Sequence, residues 1–326
     1  MHIAYSIFAP FKESEMADAA FIIAGLLLLV TGGNFLLKGS VDISLRMSIP
    51  KIVVGMTVVS FVTSAPELIV SLDSALRGYP DLALSNVVGS NIANLGLVLG
   101  LALLLGRMDV RRSFYFTDWP VMMASSLLFF VFVYGDLLLG RMEGGIMVIF
   151  LFLFLVYLLR YQKPVVDEVL PDVIQLMPLY KTILYLGAGG VALWGGSELL
   201  ITGAVGLATL FHVSERFIGI TVVSIGTSIP ELAASLIAMV KKEKAISVGN
   251  LIGSNMFNLL GVLGITALVQ PIQIQDERLI DHDVFWLLGI SFLVLPLVFF
   301  PRGQRLDWKD GLVLLAVYGF FLHFTY

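Results

Sequence analysis

Long, nearly uninterrupted apolar stretches alternate with short polar segments along the whole chain. A helix needs about 20 mainly apolar residues to cross the hydrocarbon core of a bilayer. Ten stretches of suitable length can be marked, and they cover residues 18–37, 52–76, 82–106, 114–134, 142–160, 182–209, 217–240, 245–269, 284–300 and 311–325. We therefore predict an all-α polytopic membrane protein with ten transmembrane helices and little chain left for a soluble domain.

The composition fits the same class of protein. Only 13% of the residues are charged and the mean hydropathy is +0.94, whereas a soluble domain carries about 25% charged residues. The basic residues are scattered and the net charge is −4, so we expect the lipid bilayer as surroundings and no nucleic-acid partner. No cysteine is present, which excludes disulfides and thiolate metal sites. We also expect no obligate protein partner.

Lysine and arginine are concentrated in alternate polar segments. Segments rich in these residues stay on the cytoplasmic side of a membrane. With the N-terminus outside, fifteen of the 20 basic residues fall on inner segments, namely Lys38, Arg46, Lys51, Arg107, Arg111, Arg112, Arg160, Lys163, Lys181, Lys241, Lys242, Lys244, Arg302, Arg305 and Lys309. The outer segments hold Lys12, Arg77, Arg141, Arg216 and Arg278. We predict an inner (plasma) membrane protein with both termini outside.

The sequence contains an internal duplication. Residues 55–68 read GMTVVSFVTSAPEL and residues 219–232 read GITVVSIGTSIPEL, and the same offset, without gaps, aligns NVVGSNIAN at 86–94 with NLIGSNMFN at 250–258. We call the number of residues that separates equivalent positions, such as Glu67 and Glu231, the repeat offset. We divide the chain into a first repeat at 1–162, a short cytoplasmic linker at 163–177 and a second repeat at 178–326. Each repeat holds five predicted helices, so the second must enter the membrane from the opposite side. Inverted repeats are typical of secondary transporters.

Each copy of the first motif places one acid deep inside a predicted helix, Glu67 in one repeat and Glu231 in the other. A charged side chain at that depth costs at least about 2.5 kcal/mol and by default marks a functional site. Pro66 and Pro230 directly precede the two acids, and a proline removes the hydrogen bond to the carbonyl four residues earlier. We therefore expect a broken helix with a free carbonyl oxygen beside each glutamate.

Further oxygen atoms lie near these predicted breaks. Carboxylates, carbonyls and hydroxyls are the ligands that Ca²⁺ prefers, and the charges of two glutamates would be balanced by one Ca²⁺ or two Na⁺. The candidate neutral ligands are Ser60, Thr63, Ser64, Ser90, Asn94, Ser224, Thr227, Ser228, Ser254 and Asn258. Gly89 and Gly253 are small enough to let the helices of the second motif pack closely. No histidine falls inside either motif, so we expect a transporter and not an enzyme, with transported ions and no cofactor.

The doubled GxTVVSxxTSxPEL and NxxGSNxxN segments resemble the two α-repeats of the calcium:cation antiporter superfamily, and within it the prokaryotic, potassium-independent sodium/calcium exchangers. The resemblance implies exchange of inward-moving Na⁺ for outward-moving Ca²⁺ by alternating access. It implies that Ca²⁺ is held by both glutamates and by the backbone carbonyls of Thr63 and Thr227. It also implies that Na⁺ uses the same acids together with Ser60, Ser64, Ser90, Ser224, Ser228 and Ser254.

The chain departs from parts of this family pattern. Asn258 stands where some prokaryotic members carry an aspartate, and Asn94 is neutral as well. We therefore expect no third carboxylate at the site, which also disfavours the potassium-dependent branch. The linker is too short for the calcium-sensing domain of eukaryotic exchangers, so we expect no regulation of that kind.

Two other mechanisms stay open at this point. Buried glutamates can also bind protons, which would make the protein a H⁺/Ca²⁺ exchanger, and they could instead line the constriction of a cation channel. Glu198 occupies the position equivalent to Asn34 at the repeat offset. We interpret Glu198 as a polar residue near a helix end, in preference to a secondary acid near the ion path.

Overall fold

The structure is a computed structural model that describes residues 13–110, 112–161, 176–210, 226–300 and 303–325. This part of the chain is helical almost throughout. Its helices are α1 (Glu13–Met47), α2 (Lys51–Thr63), α3 (Ala65–Leu76), α4 (Pro80–Leu105), α5 (Phe114–Tyr134), α6 (Arg141–Tyr161), α7 (Leu179–Leu210), α8 (Ile229–Val240), α9 (Lys244–Val269), α10 (Leu279–Phe299) and α11 (Trp308–Thr325).

Most of these helices are suited to a bilayer. Among the described residues, seven helices are long and apolar enough to cross a membrane, and the bent pair α2 and α3 makes an eighth candidate span. The predicted all-helical membrane protein is therefore confirmed in this coarse sense. Of the predicted helix at 217–240, the structure describes residues 226–240, which include α8, and most of the predicted linker lies outside the described residues. The full number of ten spans stays a prediction.

Helix α1 is longer than its apolar stretch predicts, because tertiary contacts hold its polar end. Asp42 is only 5% exposed and accepts hydrogen bonds from Thr182 Oγ1 at 2.6 Å and from the Met177 backbone N–H at 2.9 Å. Arg46, one turn later, pairs with the same carboxylate at 3.3 Å. The segment predicted to be a polar connection is thus helical to Met47 and fixed to the beginning of α7.

Four two-residue strands depart from the predicted all-α fold. Strand β1 (Met108–Asp109) pairs antiparallel with β4 (Arg305–Leu306), and β2 (Leu138–Leu139) pairs antiparallel with β3 (Ile272–Gln273). Their residues lie in short connections and carry no run of alternating polarity, so no local pattern predicts them. Each ladder joins a connection of the first repeat to one of the second.

The connections between helices fall into two groups that agree with the predicted alternation of sides. Lys51 pairs with Glu243 at 2.9 Å, and β1 pairs with β4, so segments predicted to be inner contact one another. Asp81 accepts hydrogen bonds from the backbone N–H groups of Gln275 at 2.9 Å and Asp276 at 3.2 Å, and these segments were predicted to be outer. Which group faces the cytoplasm stays a prediction.

The helices that carry the sequence motifs are packed at backbone distance. A Cβ atom added to Gly253 in α9 would lie 2.6 Å from the carbonyl oxygen of Met56 in α2, and one added to Gly249 would lie 2.2 Å from Ile52 O. Small residues let helices in a membrane approach in this way. Gly89, the equivalent of Gly253 in the first repeat, is half-buried in α4. The first motif of one repeat is thereby placed against the second motif of the other.

Candidate functional site

In both copies of the first motif, a helix begins directly after a serine with the same backbone geometry. Helices α2 and α3 meet at Ser64 with a bend of 44°, and Ser64 has φ −84° and ψ 3°. Ser228 directly precedes α8 with φ −86° and ψ 0°. Pro66 and Pro230 are the second residues of α3 and α8, where a missing N–H costs no helical hydrogen bond. Each glutamate therefore sits in the first turn of a new helix.

The carbonyl oxygen left free by Pro230 has a side-chain partner. Gly226, four residues before this proline, accepts a hydrogen bond from Ser197 Oγ of α7 at 2.9 Å. Both residues are buried. The sequence predicted the free carbonyl but not its donor. The donor comes from a helix distant in sequence, and its equivalent in the first repeat is Gly33, which has no hydroxyl, so the duplication does not point to it.

The two acids are fully buried, and the first motif of one repeat contacts the acid of the other. Ser64 Oγ donates a hydrogen bond to Glu231 Oε1 at 3.3 Å. Glu231 Oε2 and both carboxylate oxygens of Glu67 are buried without a hydrogen-bond partner among the described residues. Buried polar atoms in proteins nearly always have a partner. Within the described residues, these oxygens are therefore free to bind an ion.

Neutral polar atoms around the two acids are left unpaired in the same way. Within the described ranges, Ser228 Oγ and the side-chain amides of Asn94 and Asn258 are buried and make no hydrogen bond. The segment Asn94–Val98 packs against α8, and Phe257–Leu263 packs against α3. Asn94 therefore lies in a segment that contacts the helix of Glu231, and Asn258 lies in a segment that contacts the helix of Glu67.

The segments that hold these asparagines are wider than an α-helix. Residues Asn94–Val98 of α4 and Phe257–Leu263 of α9 form π-helical turns, and the two turns overlap at the repeat offset. Such turns occur frequently at functional sites. The sequence contained no signal for them beyond the alignment of Asn94 with Asn258.

Threonine hydroxyls connect the two repeats in matched pairs. Thr63 Oγ1 donates to Asn250 Oδ1 at 3.2 Å and lies 3.4 Å from Ser254 Oγ. Thr227 Oγ1 donates to Asn86 Oδ1 at 3.1 Å and lies 3.0 Å from Ser90 Oγ. The second set consists of the residues equivalent to the first. Each helix break is therefore held by the second motif of the opposite repeat.

Asn86 and Asn250 are site residues that the sequence-based prediction missed. Besides accepting from the threonines, Asn86 Nδ2 donates to Ser71 Oγ at 2.9 Å and Asn250 Nδ2 donates to Ser235 Oγ at 3.0 Å. These two asparagines and two serines are buried. The signal was available, because the first asparagine of NxxGSNxxN recurs in both repeats. Only later positions of that motif entered the predicted ligand set.

The predicted serine ligands differ in their contacts. The hydroxyl of Ser60 contacts two backbone carbonyls, Gly55 O at 2.8 Å and Asn250 O at 3.0 Å, so it takes part in the contact between α2 and α9. Ser90 and Ser254 contact the threonines. Ser64 donates to Glu231, whereas Ser228 directly precedes α8 and its hydroxyl is unpaired among the described residues. Ser224 lies outside the described residues.

A cavity of about 320 Å³ reaches the helix breaks from one side. Its lining includes Pro66, Pro230 and Thr227 at the level of the breaks, and the exposed side chains of Trp194 and Glu198 from α7. Our interpretation of Glu198 as a helix-end residue was wrong, because α7 continues well beyond it, to Leu210. The contacts that place Glu198 beside the breaks are between distant segments and leave no local pattern.

This arrangement can bind cations without a chemical reaction. Two buried carboxylates without a counter-charge are costly, and in proteins such charges are paired or bind metal ions. Within the described part of the chain, no group of three or more acidic, histidine or cysteine side chains is placed to hold a metal, so the formal charge to be balanced is that of two acids. Hard oxygen atoms around such a pair suit Ca²⁺ or Na⁺.

Comparisons with known proteins agree with this chemistry. The family described as sodium/calcium exchanger protein matches residues 18–160 and 181–326. Inner membrane protein YrbG of Escherichia coli is 34% identical over 85% of this chain and 87% of its own length. Sodium/calcium exchanger MaX1 of Methanosarcina acetivorans is 27% identical over 92% of this chain and 96% of its own. A solved structure of the sodium-calcium exchanger NCX_Mj, soaked with zero Na⁺ and Ca²⁺, superposes with a TM-score of 0.81 at 25% identity, covering 95% of this chain and 99% of that one.

Proposed function

The chain belongs to the sodium/calcium exchanger protein family, and from that premise we propose that it exchanges Na⁺ moving inward for Ca²⁺ moving outward by alternating access. The observation that carries this proposal is the pair of fully buried glutamates, Glu67 and Glu231, with three carboxylate oxygens unpaired among the described residues. Ca²⁺ and Na⁺ are the transported substrates. The names of MaX1 and NCX_Mj support the choice of these two ions.

In this proposal, Ca²⁺ is bound by the two glutamates and by the backbone carbonyls of Thr63 and Thr227. Sodium ions use the same carboxylates with hydroxyls of the surrounding serines. Because both ions need the same negative charges, Na⁺ entering the site displaces Ca²⁺, and this competition couples the two fluxes. A site loaded with one Ca²⁺ or two Na⁺ balances the charge of both acids, and a neutral centre can change its exposure at a lower electrostatic cost than a charged one.

We propose that the fold comprises ten helices in two inverted repeats, at 1–162 and 178–326, joined by the linker at 163–177. Two matched contacts support this arrangement, that of Thr63 with Asn250 and that of Thr227 with Asn86. The second contact joins the residues equivalent to those of the first, so the two repeats contact each other through the same pair of positions. The excess of basic residues on the inner segments supports an inner (plasma) membrane protein with both termini outside.

The proposal is tested with purified protein in liposomes loaded with Na⁺ and diluted into medium containing ⁴⁵Ca²⁺. We expect uptake to depend on the outward Na⁺ gradient and to fall by about 100-fold or more in Glu67→Gln and Glu231→Gln, because each variant keeps only one of the two charges that balance Ca²⁺. The matched control is Asp73→Asn. Asp73 is also an α3 carboxylate, but it is 55% exposed and pairs with Arg77, so its removal should leave uptake unchanged.

Four outcomes would contradict the proposal. Uptake that ignores the Na⁺ gradient, or that survives Glu67→Gln, would remove the shared-charge mechanism. Uptake driven by a pH gradient in Na⁺-free buffer would replace Na⁺ with H⁺ as the coupling ion. Currents far above carrier turnover would indicate a channel.

A further inference from the structure

Glu198 is an acid for which the exchange mechanism above has no use. It lies in α7, is exposed, and lines the cavity of about 320 Å³ that reaches both helix breaks. No basic side chain in the described ranges pairs with it, and its backbone carbonyl accepts a hydrogen bond from Thr202 Oγ1 at 2.8 Å as part of the ordinary helix contacts. Its carboxylate is therefore available to a mobile cation.

The cavity connects this acid with the candidate ion site. Pro66 and Pro230 form part of its wall, and each is bonded to one of the buried glutamates. Thr227, also in the wall, donates a hydrogen bond to Asn86 at 3.1 Å and so belongs to the network around the site. A cation that enters this cavity thus meets Glu198 first and the glutamate pair behind the prolines next.

Most of the remaining wall is apolar, with Ile69, Val70 and Ile201 among its residues. Walls of low dielectric constant focus the field of a charge inside a cleft and raise the local concentration of oppositely charged ions. A single carboxylate in this position therefore acts on cations more strongly than it would on an open surface. One carboxylate alone supplies too few oxygen ligands to replace the hydration shell of Ca²⁺.

The equivalent position of the first repeat carries no charge. Asn34 aligns with Glu198, and its amide donates to Val30 O at 2.8 Å within its own helix. The acid thus marks one of the two sides of the glutamate pair. This is the side towards which α3 runs from Glu67 to Arg77, and the proposed orientation places that side outside.

We propose that Glu198 forms a transient site for hydrated cations at the outer mouth, where Ca²⁺ and Na⁺ are held before they move to Glu67 and Glu231. This inference rests on the proposed function. The site sets how readily external ions reach the exchanger and leaves the ions' final ligands unchanged. It makes the two faces of the protein unequal in apparent affinity.

The test measures the external Ca²⁺ concentration that gives half-maximal uptake in Na⁺-loaded liposomes at low ionic strength. In Glu198→Gln we expect this concentration to rise by about three- to tenfold, with the maximal rate within about twofold of wild type. Glu198→Asp keeps the charge and should stay near wild type. Asp73→Asn again removes an exposed acid, outside the cavity, and should have no effect.

Salt provides a second measurement that needs no variant. Surface charges are screened over about 10 Å at 0.1 M ionic strength, so raising an inert salt should weaken the external apparent affinity of wild type and bring it towards that of Glu198→Gln. If the two proteins have equal half-saturation at low salt, the inference about Glu198 is overturned, while loss of transport in Glu67→Gln would still uphold the exchange mechanism. If Glu67→Gln transports normally, the exchange mechanism fails first.

Discussion

The two sides of the glutamate pair are built from equivalent residues and differ in their packing. On one side, Ile201 and Gly226 contribute to the cavity that opens beside Glu198. On the other side, their equivalents Leu37 and Val62 belong to a hydrophobic cluster. At these positions the duplicated sequence therefore lines a cavity in one repeat and forms a packed contact in the other. The difference comes from how the helices are placed, because the repeated motifs around the two breaks are nearly the same.

In alternating access, each state is open on one side of the ion site and closed on the other. The asymmetry between the two sides is the arrangement expected of one such state. In a pseudo-symmetric protein, the closed side can become open if α1 takes up the relation to α8 that its equivalent α7 now has to α3, which is the equivalent of α8. Gly33 indicates how tight the closed side is, since a Cβ added there would lie 2.2 Å from Ile237 Cδ1. Its equivalent on the open side is Ser197, whose hydroxyl has room to bond Gly226 O.

The largest expected effect concerns solvent access on the two sides. The chain has no cysteine, so Ile201→Cys and Leu37→Cys introduce the only thiol at equivalent positions. Leu37 is 9% exposed, whereas Ile201 lines the cavity. We expect a small, membrane-impermeant thiol reagent to modify Ile201→Cys at least about tenfold faster, because a buried thiol reacts only after local opening.

The measurement is the rate of mass increase of protein in sealed liposomes, with reagent present on either face. Gly135→Cys, in the exposed connection between α5 and α6, where an added Cβ meets nothing within 4 Å, is the control for reagent activity. Equal rates at positions 201 and 37 under all ionic conditions would mean that the open and closed sides are not distinct. A ratio that reverses when Na⁺ replaces Ca²⁺ would turn the comparison into direct support for switching.

The second effect concerns the two asparagines that hold the helix breaks. Asn250 accepts a hydrogen bond from Thr63, which is only 1% exposed and lies on the closed side. Asn86 accepts one from Thr227, which lines the cavity. An unsatisfied buried polar group costs about 1–3 kcal/mol. We expect Asn250→Ala to lower the free energy of unfolding by about 3 kcal/mol and Asn86→Ala by about 2 kcal/mol, because water in the cavity can replace the bond to Thr227.

These values are measured by denaturant titration of the purified variants in the same detergent. Thr31→Ala on α1 removes an exposed hydroxyl that bonds the Leu27 carbonyl of its own helix at 2.7 Å, and gives the scale of an ordinary substitution in this membrane protein. The expected order would be contradicted if Asn86→Ala were the more damaging change, since water could then not reach Thr227.

The sequence predicted the parts of the molecule that depend on local patterns. Apolar runs located the helices, the prolines before Glu67 and Glu231 indicated where the helices break, and the repeat offset identified the two acids as equivalents. What it missed depends on contacts between distant segments. The extension of α1 needs Thr182 beside Asp42, and the cavity beside Glu198 exists only because α3, α7 and α8 meet there. The roles of the individual ligands stay predictions.

The smallest expected effect is at Ser197, where the open side meets the broken helix. Its hydroxyl donates to Gly226 O at 2.9 Å, the carbonyl that Pro230 leaves without an internal partner. Ser197→Ala removes this donor, and we expect it to lower the free energy of unfolding by about 1 kcal/mol. The cost should be near the lower limit for a lost buried hydrogen bond, because the carbonyl borders the cavity and water can bind it. Ser197→Thr keeps the donor and is the matched control. A loss of about 3 kcal/mol in Ser197→Ala, the upper limit for an unsatisfied buried group, would mean that water does not reach Gly226 and that the cavity is closed at the level of the helix break.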